Sequence, residues 1–334
     1  MTNRKIFNRQ LASGVAANIG ADLRDLTRCG DHSSRQAAVT SVAIQLSGFK
    51  SSLADPQARD LLIQQVREED DQDYEMPTNV SFDVPVEEKK IEGGQLFILN
   101  HRNDDQAVIF YLMGSAYLQR ADRDHWRYLN RLALRTGCCI YTPLYPMVPV
   151  NHFDQIYHDM IQLYEDIYGI TEASRITLMG DSAGGGLATG FCEYLGQRGL
   201  PQPGHLVLIS PWLDLELKNP LIEEYQKEDV TLDAEGLRQV GRLWAGETNP
   251  ADYRLSPING DVSALRDVTI FVGTREIMYP DTNDFVEKLK QAHVPVDYQV
   301  GRGMFHIYPL YPIPESKDAM ETVERLVHAK QDEA

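Results

Sequence analysis

"ITLMGDSAGGGLATGF", residues 176–191, is the stretch on which the fold turns. Apolar and β-branched residues run straight into Gly180-Asp181-Ser182-Ala183-Gly184, and an apolar, helix-like segment rich in small residues follows at once. A strand-to-helix turn this tight crowds the backbone two positions before and two after its apex, so a Cβ is excluded there and glycine relieves the contact. The apex residue then stands above the carboxyl end of a strand, where open α/β sheets bind ligands. The first N–H groups of the helix behind it face any negative charge that develops. Taken alone, G-x-S-x-G is weak evidence; with a strand before it and a helix after it, Ser182 becomes a candidate nucleophile.

Outward from the turn, strands and helices alternate. From Val80, "VSFDVPVEE", "QLFILN" and "AVIFYLM" are short β-rich runs divided by the turn signals "IEGG" and "HRNDD", which predicts a small antiparallel start. A helix near residues 119–135, strand "CCIYT", helix "FDQIYHDMIQLYEDIYG", strand "RITLM", a helix from Gly185 to Gln197 and strand "HLVLIS" follow, implying a parallel sheet. Between Asp214 and Ala264 the order breaks, with a helical "DAEGLRQVGRLWAG" and no evident strand, so this region reads as an insertion over the sheet. Strand "VTIFVG", helix "DTNDFVEKLKQAH", strand "VDYQV" and a helix from Ser316 to Ala329 close the chain. The first 75 residues read as helical: Val39, Val42, Ala43, Leu46 and Phe49 fall at helical spacing, and Asp55 is an N-cap ahead of Pro56 at a first helical position. The acidic run "REEDDQD" reads as a solvated connector.

Composition bounds the partners. The chain has 334 residues, 43% hydrophobic and 24% charged, the profile of a soluble globular protein. A formal charge of −17 argues against a nucleic-acid partner, which needs concentrated basic surface. Small neutral substrates fit better. No apolar run is long enough for a membrane span, and the polar start "MTNRKIFNRQ" lacks the apolar core of a signal peptide, so a cytoplasmic protein is expected. Cys29, Cys138, Cys139 and Cys192 form no CxxC pair and have no histidine at metal spacing, so reduced core thiols and no metal site are expected.

A serine hydroxyl needs a base, and the base needs a third group to hold its tautomer; on this type of sheet the chain order is serine, acid, histidine. Of the histidines beyond the strand "VTIFVG", His293 and His328 sit in helical segments, whereas His306 lies in "GRGMFHIYP", the loop directly after "VDYQV". His306 is therefore the candidate base. For the acid, the loop after "VTIFVG" offers Glu276 and Asp281. Glu276 is nearer the strand end and is preferred, while Asp281, ahead of "TNDFVEKL", reads as a helix N-cap.

With these residues in place the chain resembles the α/β-hydrolase fold and, within it, the hormone-sensitive-lipase-like esterases. The segments that carry the likeness are "GDSAGGG", "SPWLDL", "LSPINGD", "GTREIMYPD" and "MFHIYP". The resemblance implies an α/β architecture with a mostly parallel eight-stranded sheet flanked by helices. It further implies a catalytic domain from residues 76–213 and 265–334, with a helical cap made of residues 1–75 and the insertion 214–264. The implied activity is cofactor-free hydrolysis of a small-molecule carboxylic ester, with short acyl chains expected beneath such a cap, and relatives often form homodimers. In that family the loop after the third strand carries His-Gly-Gly-Gly; here the aligned stretch is Met113-Gly114-Ser115-Ala116. By position, the oxyanion donors would be the amides of Ser115, Ala116 and Ala183, although serine and alanine accept positive φ less readily than glycine. Tyr117 and Trp212 are candidate pocket residues, core packing being the alternative for each. A ligand-binding protein without catalysis is the competing reading, favoured by the altered loop and opposed by the intact serine, glutamate and histidine.

Overall fold

The computed structural model describes residues 33–70, 72–91, 94–104, 106–149 and 153–332. Its centre is an eight-stranded sheet of order β1-β2-β4-β3-β5-β6-β7-β8. The strands are β1 (Val86–Ile91), β2 (Gly94–Leu99), β3 (Val108–Leu112), β4 (Cys139–Leu144), β5 (Ile176–Asp181), β6 (His205–Ile209), β7 (Asp267–Gly273) and β8 (Val296–Gly301). β1 and β2 pair antiparallel, as do β2 and β4, and every later pairing is parallel. The first predicted strand begins later than expected: residues 80–85 are irregular and pairing starts at Val86. Pro85 cannot donate to a ladder, which fits that boundary.

The central strands are apolar on both sides because both faces are covered. Val108, Phe110 and Leu112 of β3 enter one core, Ile109 and Tyr111 the other, the two-residue period of an extended chain. The first core is closed by α5 (Phe153–Tyr168), α6 (Ser182–Gln197) and α9 (Tyr279–Gln291), the second by α4 (Arg123–Thr136) and α10 (Glu315–Asp332). The outer strand β1, "VEEKKI", is exposed along most of its length, and its charges protect a sheet edge.

The N-terminal helices are α1 (Arg35–Ser47), α2 (Phe49–Ala54) and α3 (Pro56–Asp70); the segment after β6 carries α7 (Ile222–Tyr225) and α8 (Ala234–Ala245). The two sets touch: α2 packs on α8, and the Lys50 ammonium donates to the carbonyl oxygens of Gln226 and Asp229 at 2.7 and 2.5 Å. The Asp55 carboxylate accepts from the Ala58 amide at 2.8 Å, the expected cap for a helix that starts at Pro56. The face of α1 is not the expected one. Ala37 and Ser41 are buried, whereas Val39 and Leu46 are 59% and 41% exposed. Small side chains allow a closer approach than branched ones, so tertiary packing selects the stripe one step round the helix. Asp281 also differs from expectation: α9 begins at Tyr279, so Asp281 lies inside its first turn rather than at the cap, buried, with burial and the neighbouring Asp214 pushing its carboxyl up to about 7. Among the described residues Cys138, Cys139 and Cys192 are buried and form no disulfide; Cys29 lies outside them. No helix among the described residues is long and apolar enough to cross a membrane, and no cluster among them could hold a metal ion.

Candidate active site

Strand β5 ends at Asp181 and α6 begins at Ser182, with no connecting residue. Ser182 takes φ 51°, a left-handed conformation rare outside glycine, and the strain lifts its side chain above the sheet. Glycines make this turn possible: a Cβ on Gly180 would overlap the Gly184 carbonyl, and one on Gly184 would overlap the Leu112 carbonyl of β3.

Three side chains distant in sequence meet at this turn. His306, in the loop after β8, lies with Nε2 2.9 Å from Ser182 Oγ. Its Nδ1 is 2.5 Å from Glu276 Oε2, in the loop after β7. With the proton on Nδ1 donated to the carboxylate, Nε2 is left to accept the serine hydroxyl. Asp281, the alternative acid, makes no such contact among the described residues; the histidine meets Glu276.

The glutamate is fully buried and fully engaged. Its Oε1 accepts from the Gly273 amide at 2.6 Å and from the Ser210 hydroxyl at 2.7 Å, and Ser210 Oγ in turn accepts from the Ile307 amide at 3.0 Å. One hydroxyl thus ties the acid to the loop that carries the base. A second buried carboxylate, Asp229, accepts from the Ile277 amide at 2.9 Å and pins the acid loop from the side of the inserted segment. Burial of the His306 ring opposes its protonation, but the charge and hydrogen bond of Glu276, with Asp229 and Asp181 adding to them, outweigh burial and raise its pKa above the ordinary 6.5.

The Met113–Ala116 stretch follows β3 and abuts the serine turn. Gly114 donates its amide to Asp181 Oδ1 at 3.0 Å, and a Cβ there would overlap the Asp181 carboxylate and the Ser182 side chain. This explains why one glycine remains where the resemblance leads one to expect three. Ala116 and Tyr117 adopt φ 52° and 56° without glycine's freedom. The Ser115 and Ala116 amides donate to no acceptor among the described residues, and Ala183 occupies the first turn of α6, where amides lack intrahelical partners. The stretch borders the serine through Gly114, and Ala183 follows the serine directly.

Tyr117 and Trp212 are buried in an aromatic block rather than lining an open surface. The Tyr117 hydroxyl donates to the Ala183 carbonyl at 3.1 Å, its ring stacks on Trp244 of α8 with centroids 3.9 Å apart, and Trp212 lies 5.8 Å away. Tyr145 joins the block and donates its hydroxyl to the Met113 carbonyl. Reading the sequence alone missed Ser210, Asp229, Tyr145 and Trp244. Ser210 lies inside "SPWLDL" and Trp244 inside the helical "DAEGLRQVGRLWAG", stretches that already stood out.

Residues 109–310 match the sequence family described as alpha/beta hydrolase fold. The chain is 29% identical over 221 residues to an esterase of Acinetobacter venetianus, covering 65% of this chain and 73% of that one. It is 28% identical over 220 residues to an acetyl-hydrolase of Streptomyces hygroscopicus, covering 65% and 74%. Among solved structures, a candidate esterase from Staphylococcus aureus superposes with a TM-score of 0.78 at 28% identity, covering 81% of this chain and 92% of that chain. An esterase from the bacterial hormone-sensitive lipase family gives 0.74 at 24% identity, covering 89% and 98%, and shares the fold.

Proposed function

The chain belongs to the α/β hydrolase fold family, and from that premise we propose that it is a serine carboxylesterase acting on short-chain acyl esters through Ser182, His306 and Glu276. The esterase and acetyl-hydrolase names of its relatives support carboxylic ester hydrolysis. The single observation that carries the residue assignment is the 2.9 Å approach of His306 Nε2 to Ser182 Oγ, with a buried carboxylate on the other ring nitrogen.

In this reading Ser182 Oγ attacks the ester carbonyl as its proton passes to His306 Nε2, and Glu276 stabilises the imidazolium that forms. The amides of Ala183, Ser115 and Ala116 receive the developing oxyanion. His306 protonates the leaving alkoxide oxygen, the C–O bond breaks, and a water molecule activated by the same imidazole releases the carboxylic acid and restores the serine. The preference for short acyl chains is supported by the block of Tyr117, Trp212, Trp244 and Tyr145, a packed set of side chains beside Ala183. The N-terminal helices and the segment 214–264, joined through α2 and α8, form the cap.

Hydrolysis of p-nitrophenyl esters from acetate to decanoate by the wild type and Ser182→Ala tests the proposal. Turnover on the short esters by the wild type alone is expected; equal rates from both proteins would refute the nucleophile. A non-catalytic ligand-binding protein would show neither turnover nor covalent labelling of Ser182 by an organophosphonate.

A further inference from the structure

Asp181 sits directly before the nucleophile at the end of β5 and is fully buried. Its Oδ1 accepts from the Tyr111 hydroxyl at 2.8 Å and the Gly114 amide at 3.0 Å. Its Oδ2 faces His125 Nε2 at 3.4 Å, and His125 Nδ1 lies 2.8 Å from Asp122 Oδ1, at the N-cap of α4. Among the described residues this histidine is the one ion-pair partner of Asp181. It is nearly buried itself, yet the carboxylates of Asp122 and Asp181 outweigh burial and hold its pKa well above the ordinary imidazole value.

A buried carboxylate is held in place by the counter-charge and hydrogen bonds that replace its hydration. Strip the imidazole from Asp181 and Oδ2 loses the partner that fixes the carboxylate's orientation, which loosens Oδ1 as the acceptor for the Gly114 amide. That amide begins the turn whose next two residues are Ser115 and Ala116. The turn has little stiffness of its own, because Ala116 and Tyr117 sit at positive φ, and such strain persists only where the surroundings over-determine it. Besides the Ser115 carbonyl that accepts from the Leu118 and Gln119 amides, the Ser115 hydroxyl on Met147 sulfur and the Val148 amide on the Tyr117 carbonyl, its ties are the Tyr145 hydroxyl on the Met113 carbonyl, the Tyr117 hydroxyl on the Ala183 carbonyl and the Gly114 amide on Asp181, the last of which joins it to the residue directly before the nucleophile.

We propose that His125 is a positioning residue for the reaction at Ser182: by bridging Asp122 and Asp181 it fixes the carboxylate that holds the 113–116 turn beside the nucleophile. The inference rests on the esterase reading and on the turn as the source of oxyanion donors. It assigns to α4 a part in catalysis exercised through Asp181.

The test compares His125→Gln, Asp122→Asn and Ser182→Ala with the wild type, using a p-nitrophenyl ester and the thionoester of the same acid. Asparagine caps a helix as well as aspartate, so Asp122→Asn keeps α4 while removing one of the two carboxylates on the ring, and it carries the test should His125→Gln fail to fold. Sulfur accepts poorly from N–H donors, so the ester-to-thionoester rate ratio reports on the oxyanion site rather than on general integrity. Loss of one oxyanion donor costs about 10²- to 10³-fold, so a displaced turn should lower kcat for the ester by roughly 10- to 100-fold in His125→Gln and less in Asp122→Asn. KM is expected to stay within a factor of about three, because substrate binding does not draw on donors aimed at the transition state. The rate ratio should shrink in both variants. A folded variant with wild-type kcat, or one in which both rates fall equally and the ratio holds, overturns the inference. An active Ser182→Ala would overturn the esterase reading with it, whereas an inert Ser182→Ala beside a fully active His125→Gln overturns this inference alone.

Discussion

Replacing Ser210 with alanine removes one oxygen atom and should weaken both the fold and the reaction. The hydroxyl donates to the buried Glu276 Oε1 and accepts from the Ile307 amide, so it closes a bridge between the loops after β7 and β8. A hydrogen bond to an ionised group contributes about 1.5–3 kcal/mol, and an amide left without its partner costs about 1–3 kcal/mol. The two are coupled, so a total of roughly 2–4 kcal/mol is expected rather than their sum. Backbone preference adds little, since serine and alanine are equally uncomfortable at φ 48°. Glu276 keeps the Gly273 amide on the same oxygen and His306 on the other, so the acid stays in place. The His306 loop, however, loses a tether one residue from the ring. Turnover should fall by about tenfold, the size of effect that a small misplacement of a reacting group produces. Urea unfolding reads the first quantity and p-nitrophenyl acetate kinetics the second. A double-mutant cycle with Glu276→Gln isolates the bridge: the two losses should overlap by about 1 kcal/mol or more. Stability within about 0.5 kcal/mol of wild type together with unchanged kcat, or strict additivity in the cycle, would refute the reasoning.

Other outcomes are equally open to measurement. Because His306 must be neutral to act as a base and its pKa is raised, kcat/KM of the wild type should fall as pH drops through a value above 6.5. In Glu276→Gln the dominant remaining influence is burial, so the limb moves to lower pH while kcat falls by about 10³- to 10⁴-fold; a limb that stays in place would show that the carboxylate does not set it. Gly114→Ala should cut kcat by more than about 100-fold with the circular dichroism of the wild type, since the new methyl overlaps Asp181 and Ser182, and near-normal activity would mean that the turn has room to move. Glu193, fully buried on α6, has its carboxyl pushed up to about 9 by desolvation. The folded chain therefore holds a proton that the unfolded chain releases above about 4.5, so stability should decline between those values by roughly 1.4 kcal/mol per pH unit. Glu193→Gln should remove that slope, as read by urea midpoints at pH 6 and 8; an unchanged slope assigns it to another group.

The serine turn was legible because its demands are local: two glycines, a strand and a helix within sixteen residues, "ITLMGDSAGGGLATGF". His306 and Glu276 could be picked out because a loop at the carboxyl end of a parallel strand can face only one rim of the sheet. What could not be read is what depends on packing between distant segments. Ser210 meets Glu276 across 66 positions, Asp229 meets Ile277 across 48, and His125 meets Asp181 across 56, and none of the three sits in a pattern whose spacing encodes the contact. The same limit explains the face of α1: its apolar residues outnumber those that any one stripe can bury, so the choice of Ala37 and Ser41 was made by the neighbours. Asp281 shows how a cap residue is misplaced by three positions when a helix begins with Tyr279-Pro280, because proline at an early position moves the start upstream.

The imidazole that completes the trio arrives 124 residues after the alcohol. On a translating ribosome adding about 5–20 residues per second, that interval lasts roughly 6–25 s. Throughout it the nascent polypeptide carries the hydroxyl without the imidazole. On the proposed assignment, cleavage waits for the loop that follows the last strand at the sheet's border, so a chain terminated before that loop lacks the base and would not be a stray hydrolase.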